Sequence, residues 1–353
     1  MSGAAATAGL GTGNLAQVFA PGHCFFGLLT GLGTDQGTGL GINPGTASGA
    51  GNPISRNTVW RKKVVYLIYM TQQKKIIAYQ GEPGAYSHLT CKNAYPDYEP
   101  FPCQTFAAAF AAVENRDADL AMIPIENSLG GRVADMHHLL PESPLYMIGE
   151  HYHSVKHCLL GLPGATLDEL THIRSHPQAL AQCRALIEEL NVVALPVADT
   201  AGSAREIVEL NDPHHASIAS SLAAEIYGLQ VMRERIEDRL GNTTRFVVLS
   251  PTRIDPDPRD GPCMTSFVFH VRSVPAALYK ALGGFATTNV NITKLESYIT
   301  DERFQVAQFY AEIEGHPSDK LVDSAFQELQ YFSTKLKILG TYPANEFRGI
   351  ERV

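Results

Sequence analysis

Asn242-Thr243-Thr244-Arg245-Phe246-Val247-Val248-Leu249 carries a polar, hydroxyl-rich cluster straight into an apolar strand. A buried strand needs neither Asn, two Thr nor Arg at its entrance. Such groups suit a place where backbone and side chains converge on a small polar or anionic ligand. The plainer reading is a capped turn before a strand. Upstream of this stretch, short apolar runs alternate with helical patterns back to Ile76. Strands are expected at 76–79, 120–125, 146–150, 157–161, 172–174, 192–197, 216–219 and 246–249, and helices at 105–115, 177–190, 202–209 and 222–227. Strand-helix alternation implies parallel sheets with helices on both faces. Two α/β lobes around a cleft over residues 76–250 are the expected result.

Downstream, Pro251, Pro256, Pro258 and Pro262 among several charges mark a linker over residues 251–264. A compact pattern follows: strand 266–271, helix 276–287, strands 291–299 and 305–312 joined by the turn Thr300-Asp301-Glu302-Arg303, helix 318–329 and strand 335–341. This is a βαββαβ unit of the ferredoxin-like kind over residues 265–342, with a tail at 343–353. Fold alone leaves it regulatory, structural or oligomerising.

Residues 1–55 have a different composition. Fourteen of the 30 Gly precede residue 52 and Asp35 is the only charged side chain up to Ser55, so this part cannot bury enough surface to order itself. The extension is taken to run to residue 75. Met70-Thr71-Gln72-Gln73-Lys74-Lys75 looks like a natural start of translation, which makes the preceding segment a misassigned start or a dispensable extension. It lacks the basic region of a signal peptide, and the apolar run 64–70 is too short to span a bilayer.

The 353 residues carry a formal net charge of −8, with no basic footprint to suit nucleic acid. Cys24, Cys91, Cys103, Cys158, Cys183 and Cys263 are scattered without metal-site spacing, which fits a reducing cytoplasm.

Four further places share one design, in which an extended stretch ends, small polar residues follow and a helix begins. They are Gln80-Gly81-Glu82-Pro83-Gly84-Ala85-Tyr86-Ser87, Glu126-Asn127-Ser128-Leu129-Gly130-Gly131, Ser175-His176-Pro177-Gln178 and Asp199-Thr200-Ala201-Gly202-Ser203. Each alone reads as helix capping. Together, helix N-termini with small residues and hydroxyls favour a shared pocket for carboxylates beyond the strand ends. No phosphate-loop or GxGxxG spacing occurs, so nucleotides are disfavoured and a small polyanionic organic acid is expected.

These motifs, with Ile123-Pro124-Ile125 before Glu126 and Ala179-Leu180 after Gln178, resemble prephenate dehydratase in the family's motif order over residues 76–342. The C-terminal unit looks like an ACT regulatory domain. The resemblance implies an α/β, two-lobed catalytic domain like periplasmic binding proteins, followed by the ferredoxin-like ACT domain. It also implies decarboxylative dehydration of prephenate to phenylpyruvate without cofactor or metal, in the cytoplasm, by a homodimer or homotetramer.

The resemblance places the essential hydroxyl at Thr244. Thr is a very weak acid, so a hydrogen bond that strengthens as the leaving oxygen gains charge is expected of it. Arg245 either clamps a carboxylate or braces the site from behind. Asn127, Ser128 and Thr200 are the other expected substrate-contacting or organising groups, followed by Ser87 and Ser203. Glu126 is read as structural, because its charge would repel a dianion. His176 is read as a helix start, and His151, His153 and His157 as packing or surface residues rather than metal ligands.

Family members inhibited by L-phenylalanine carry a Gly-Ala-Leu turn and a Glu-Ser-Arg-Pro stretch. Here Pro275-Ala276-Ala277-Leu278 and Glu296-Ser297-Tyr298-Ile299 stand in their places, while Asn289, Asn291, Thr293, Lys294 and Leu295 follow the pattern. Ala277, Leu278, Asn291, Glu296 and Ser297 are the expected effector contacts between paired ACT domains. Effector recognition survives, shifts or is lost with Ala276 and Tyr298-Ile299. Arogenate dehydratase, a solute-binding protein and an amino-acid sensor with decayed catalytic lobes are the competing readings.

Overall fold

The computed structural model describes residues 74–272, 274–299 and 307–349. The expected disorder of the glycine-rich extension, the candidate start at Met70 and the Thr300–Arg303 turn lie outside the described residues. The first lobe is built on β1 (Lys75–Gln80), β2 (Tyr98–Cys103), β3 (Leu120–Asn127), the short β4 (Gly131–Arg132) and β5 (Tyr146–Ser154). The second holds β6 (Cys158–Gly161), β7 (His172–Ser175), β8 (Val193–Pro196), β9 (His215–Ala219) and β10 (Gln230–Glu234). The chain then returns as β11 (Thr243–Ser250), which inserts between β3 and β5 to give the order β2-β1-β3-β11-β5. The second sheet runs β10-β6-β9-β7-β8.

The sheets are mixed, not parallel as the alternation implied. β1 runs parallel to β2 and β3, and β7 to β8 and β9, but β11 is antiparallel to both its neighbours and β6 to both of its own. The chain re-enters the first lobe directly, without a crossover helix, so β11 arrives in the opposite sense. The two crossings between lobes lie side by side, since Val155 N donates to Asn242 O at 2.8 Å. The expected helix over 177–190 breaks at Cys183 into Pro177–Gln182 and Arg184–Glu189. Asp238 on the return crossing explains the break: its carboxylate accepts from the backbone of Arg184 and Ala185, while its own N–H donates to Gln182 O.

After β11 the chain forms β12 (Cys263–Val271), the helix Ala277–Thr287, β13 (Ile292–Ile299), β14 (Ala307–Glu314), the helix Lys320–Phe332 and β15 (Ser333–Pro343). The antiparallel order β13-β14-β12-β15 is the ferredoxin-like arrangement. This unit does not hang from a linker. Met264, Val268, Tyr310, Leu339 and Tyr342 share one apolar cluster with Ala78, Phe110, Met147 and Val247 of the first lobe. A side chain at Gly340 would strike the carbonyl of Met147, so β15 lies backbone-close to β5. The expected tail at 343–353 is likewise docked over its described part. Phe347 stacks on Tyr152 at 4.4 Å, and Asn345 N donates to Glu150.

Candidate active site

The strand ends that looked alike in sequence meet in one cleft. A cavity of about 160 Å³ is lined by Tyr86 and Asn127 from the first lobe, by His176, Gln178, Ala179, Gln182 and Thr200 from the second, and by Val155, His157, Asn242 and Thr244 at the crossings. The register that pairs Thr244 with Asn127 brings the two most telling residues of the sequence side by side.

Asn127 is the last residue of β3, past the irregularity between Pro124 and Glu126 and just before the turn into β4. Its Oδ1 accepts from the N–H groups of Leu129 and Gly130 at 3.0 and 2.7 Å, which fixes the amide's orientation. Its Nδ2 donates to Thr244 Oγ1 at 2.9 Å and to Asn242 Oδ1 at 2.7 Å. Asn242 Nδ2 donates to Gln182 Oε1 at 2.8 Å. His157 Nε2 lies 2.9 Å from the same oxygen, and its Nδ1 lies 2.8 Å from Tyr86 OH. Burial pushes the His157 imidazole below its ordinary value, and the Gln182 bond and Glu237 offset this only in part. Burial also pushes the Tyr86 phenol up, so it keeps its proton. A neutral His157 therefore donates from Nε2 to Gln182 and accepts at Nδ1 from Tyr86. The bonds run without a break from Tyr86 through both lobes to Thr244.

None of the residues lining this cavity is Lys, Arg, Asp or Glu. Positive potential comes instead from helix ends. Thr200 opens the helix Thr200–Leu210, whose cap Asp199 accepts from Gly202 N at 2.6 Å. His176 caps the helix Pro177–Gln182 through Nδ1, as a helix start should, and also faces the cleft.

Thr244, Asn127 and Thr200 are thus brought together, and the other expected contacts are not. Ser203 is fully buried in the second lobe, where its Oγ donates to Thr200 O at 2.6 Å and meets Ser217 Oγ; it holds Thr200 from behind. Ser87 is buried in the first turn of the helix Tyr86–Ala94 and does not line the cavity. Ser128 braces the loop, donating to Gly241 O at 3.1 Å and accepting from Thr243 N at 2.9 Å. Arg245 points to the face of β11 opposite Thr244, because successive side chains of a strand alternate. There it is bonded to Glu150, Glu312 and Tyr342, so bracing is the role its geometry allows and a carboxylate clamp is not. Glu126 pairs with Lys294 of β13 at 2.7 Å, away from the cleft. A larger cavity of about 330 Å³ lies on that far side, lined in part by Ser128, Thr243, Arg245 and Lys294, and does not reach Thr244.

Sequence reasoning missed Tyr86, His157, Gln178, Gln182 and Asn242 as individual site residues. Tyr86 and Asn242 lay inside quoted motifs, and Gln178 and Gln182 at i and i+4 share a helix face, a spacing that could have paired them. His157 had no local signal, because its partners lie 71 and 25 residues away. His151 and His153 pack edgewise or tilted on Tyr95 and Tyr86. Among the described residues no group of three His, Cys, Asp or Glu is placed to hold a metal.

The five expected effector contacts are not one site within the chain. Ala277 and Leu278 line a shallow cavity with Val271, Arg272 and Ala307, which Asn291, Glu296 and Ser297 do not reach. Asn291 Nδ2 donates to Glu314 at 3.0 Å, Glu296 pairs with Lys294 at 3.0 Å, and Ser297 lies on the exposed face of β13. Tyr298, where effector-inhibited members carry Arg, packs on His137 of the first lobe at 4.5 Å between ring centres.

Fold and cleft together define a two-lobed α/β protein with a small polar cleft between its lobes. The family model of prephenate dehydratase matches residues 77–253, half of the chain. The bifunctional N-acyl-homoserine lactone acylase/prephenate dehydratase of Komagataeibacter europaeus is 47% identical over 275 residues, covering 78% of this chain and 98% of its own length. The chloroplastic arogenate dehydratase/prephenate dehydratase 2 of Arabidopsis thaliana is 39% identical over 278 residues, covering 76% and 73%. Among solved structures, the prephenate dehydratase of Arthrobacter aurescens in complex with L-Phe superposes with a TM-score of 0.71 at 29% identity, over 77% of this chain and 90% of its own. The quorum-quenching acylase GqqA does so at 0.74 and 48%, over 78% and 100%. The chain belongs to the prephenate dehydratase family.

Proposed function

We propose that the protein converts prephenate to phenylpyruvate in phenylalanine biosynthesis. The observation that carries this reading is the bond from Asn127 Nδ2 to Thr244 Oγ1. With its oxygen engaged as acceptor, the Thr244 hydroxyl is left to donate to a group bound in the cleft it lines. As the ring carboxylate leaves as carbon dioxide, its bonding electrons enter the ring, the C4–O bond breaks with its pair going to the oxygen, and a solvent proton passed through the Thr244 hydroxyl completes the water. Thr244 stabilises the charge growing on that oxygen. The helix ends at Thr200 and His176 suit the two carboxylates and hold the ring in place.

Arogenate carries an ammonium where prephenate has a keto group. An ammonium in this cleft would find no carboxylate among the lining residues, which favours the keto acid. Parallel assays of both substrates test the reading: kcat/KM for prephenate at least tenfold above arogenate supports it, and the reverse order overturns it.

The C-terminal unit is read as an ACT domain that binds an amino-acid effector between two copies of the chain. The L-Phe complex of the Arthrobacter protein supports an amino-acid ligand, though not its place. Titration calorimetry with phenylalanine tests it, and no heat with no kinetic effect removes it. The five described cysteines, all buried with free thiols, suit a cytoplasmic protein. Hydrolysis of N-acyl-homoserine lactones is a second reading, favoured by the 47% identity to the bifunctional Komagataeibacter protein. Release of homoserine lactone, followed by chromatography, decides it.

A further inference from the structure

β11 loses its regular pairing with β3 just where the chemistry needs it fixed, while its ladder with β5 runs unbroken from Thr243 to Val248. Against β3 the register slips between Arg245 and Phe246, so that Phe246 faces Pro124, a residue with no N–H to give, and Arg245 faces Glu126. Ile125 of β3 is the extra residue, and such a bulge re-aims the residues beyond it, Glu126 and Asn127, and leaves the ladder locally disrupted. Thr244 meets Asn127 just past this bulge, so the β5 ladder places Thr244 along β11 but the seam that brings it to Asn127 needs a further anchor.

Arg245 is that anchor. Its side chain is 6% exposed and all three of its nitrogens are bonded. Nε donates to Glu150 at 2.8 Å, Nη1 to Glu312 at 2.8 Å and Nη2 to Tyr342 OH at 3.1 Å. Glu312 is buried on β14, where Tyr310 OH donates to one carboxylate oxygen and Arg348 Nη2 reaches the other at 3.1 Å. Arg348 also donates to both oxygens of Glu150, at 2.6 and 2.9 Å. Burial works against the Glu312 charge, but Arg245, the hydrogen bonds it receives and Arg348 hold it below the usual carboxylate range. Two guanidiniums and two carboxylates thus form a closed, charge-balanced cluster. The lobe itself supplies only Glu150 and Arg245.

We propose that Glu312 and Arg348, both outside the catalytic lobes, are positioning residues for the dehydration, acting through Arg245 to hold β11 against the bulged end of β3 so that Thr244 keeps its bond from Asn127 and faces the cleft. The C-terminal unit is then a working part of the active site. Buried ion clusters contribute little net stability but define geometry, and removing one member leaves an uncompensated charge that must move. A small displacement of a reacting group is enough to slow a reaction severely.

The inference rests on Thr244 as the leaving-group donor, and the experiment separates the two. Glu312→Gln and Arg348→Met are made in the full chain with Thr244 and with Thr244→Ala, and kcat and KM for prephenate are measured, the residual turnover at high enzyme concentration. Arg348→Met keeps both Arg245–carboxylate pairs and serves if Glu312→Gln does not fold, with circular dichroism as the check. With Thr244 present, kcat is expected to fall at least tenfold while KM stays within threefold. With Thr244→Ala, the same substitutions are expected to change residual turnover less than twofold. Unchanged kcat with Thr244 present, or the same fold loss in both backgrounds, overturns the positioning role. Wild-type turnover in Thr244→Ala alone overturns the Thr244 reading instead.

Discussion

Asn127 donates to Thr244 at 2.9 Å with an amide that cannot turn over, because its oxygen is held by the backbone of Leu129 and Gly130. Replacing it by Asp reverses the bond. A carboxylate can only accept, so the Thr244 proton is drawn back from the cleft and a negative charge is placed beside a dianion. Asn127→Asp is therefore expected to lower kcat/KM by roughly 10²–10³-fold, the scale of losing one preorganised donor. Thr243→Ala should stay within about threefold, an order-of-magnitude expectation for a side chain outside the reacting geometry. Thr243 lines the far cavity and only approaches Gly241 O at 3.5 Å. Steady-state kinetics on prephenate check both.

Acid should loosen the crossing before it titrates any substrate group. The buried His157 has its folded pKa depressed below the ordinary 6.5, so the folded state takes up a proton less readily than the unfolded chain. Its contribution to stability is full above about 6.5 and is lost as pH falls through the folded value. His88, His151 and His153 are depressed for the same first reason, burial, and add in the same direction. Urea melts should share one midpoint between pH 7 and 8 and shift to lower urea below about pH 6.5. A midpoint that rises on acidification would contradict the account.

Gly84 joins the lobes by backbone. Its φ is +92°, a Cβ there would lie 2.8 Å from Ala223 Cα, and its carbonyl accepts from Ser220 Oγ while Tyr227 OH donates to Pro83 O. Gly84→Ala must push the helix Ser221–Tyr227 away, at a cost of roughly 1–3 kcal/mol in strain. The cleft opens, so KM for prephenate should rise at least fivefold, an order-of-magnitude expectation for lost substrate positioning, and the melting temperature should fall. Calorimetric melting and initial rates measure the pair.

Ala276 holds φ at +59° just ahead of the helix Ala277–Thr287, in the place where effector-inhibited relatives of the resemblance carry Gly. A left-handed Ala costs about 1–2 kcal/mol, against about 0.5–1 kcal/mol of extra chain entropy for Gly. Ala276→Gly should therefore stabilise the protein by up to about 1 kcal/mol, the opposite sign from the same change inside a helix. Denaturant unfolding gives the sign directly.

Sequence alone carried the architecture where local pattern and tertiary need agreed. β3 and β11 read clearly because central strands buried on both faces are continuous apolar runs. β2 was missed because Pro100 and Pro102 argue against a strand; it survives as an edge strand pairing only β1. The helix Tyr86–Ala94 was legible only as a start at the Gln80–Ser87 motif, without an extent, because its apolar face is thin, with Thr90 and Cys91 as its deepest side chains. In the site, motif residues were legible and their directions were not. Thr244 and Arg245 are adjacent in sequence and work on opposite faces of one strand. Ser203 and Thr200 look alike in the motif, yet one is buried in the lobe and the other opens onto the cleft. Direction depends on register and on the bulge at Ile125 of β3, which only long-range pairing sets.

β3 and β5 do not pair with each other; β11 fills the slot between them. During synthesis the first lobe must therefore wait. Its sheet stays split, with two open edges, until the whole second lobe has been made and residue 250 has left the ribosome. The strand that bears Thr244 is thus the last piece of its sheet to be translated, and the partners of Arg245 on β14 and β15 emerge later still. Contacts so distant in sequence make folding slow and expose strand edges to mispairing. Chains cut short before the C-terminal strands should be bound by chaperones and aggregate rather than show partial activity, because the catalytic strand is the closure of the fold as well as its chemistry.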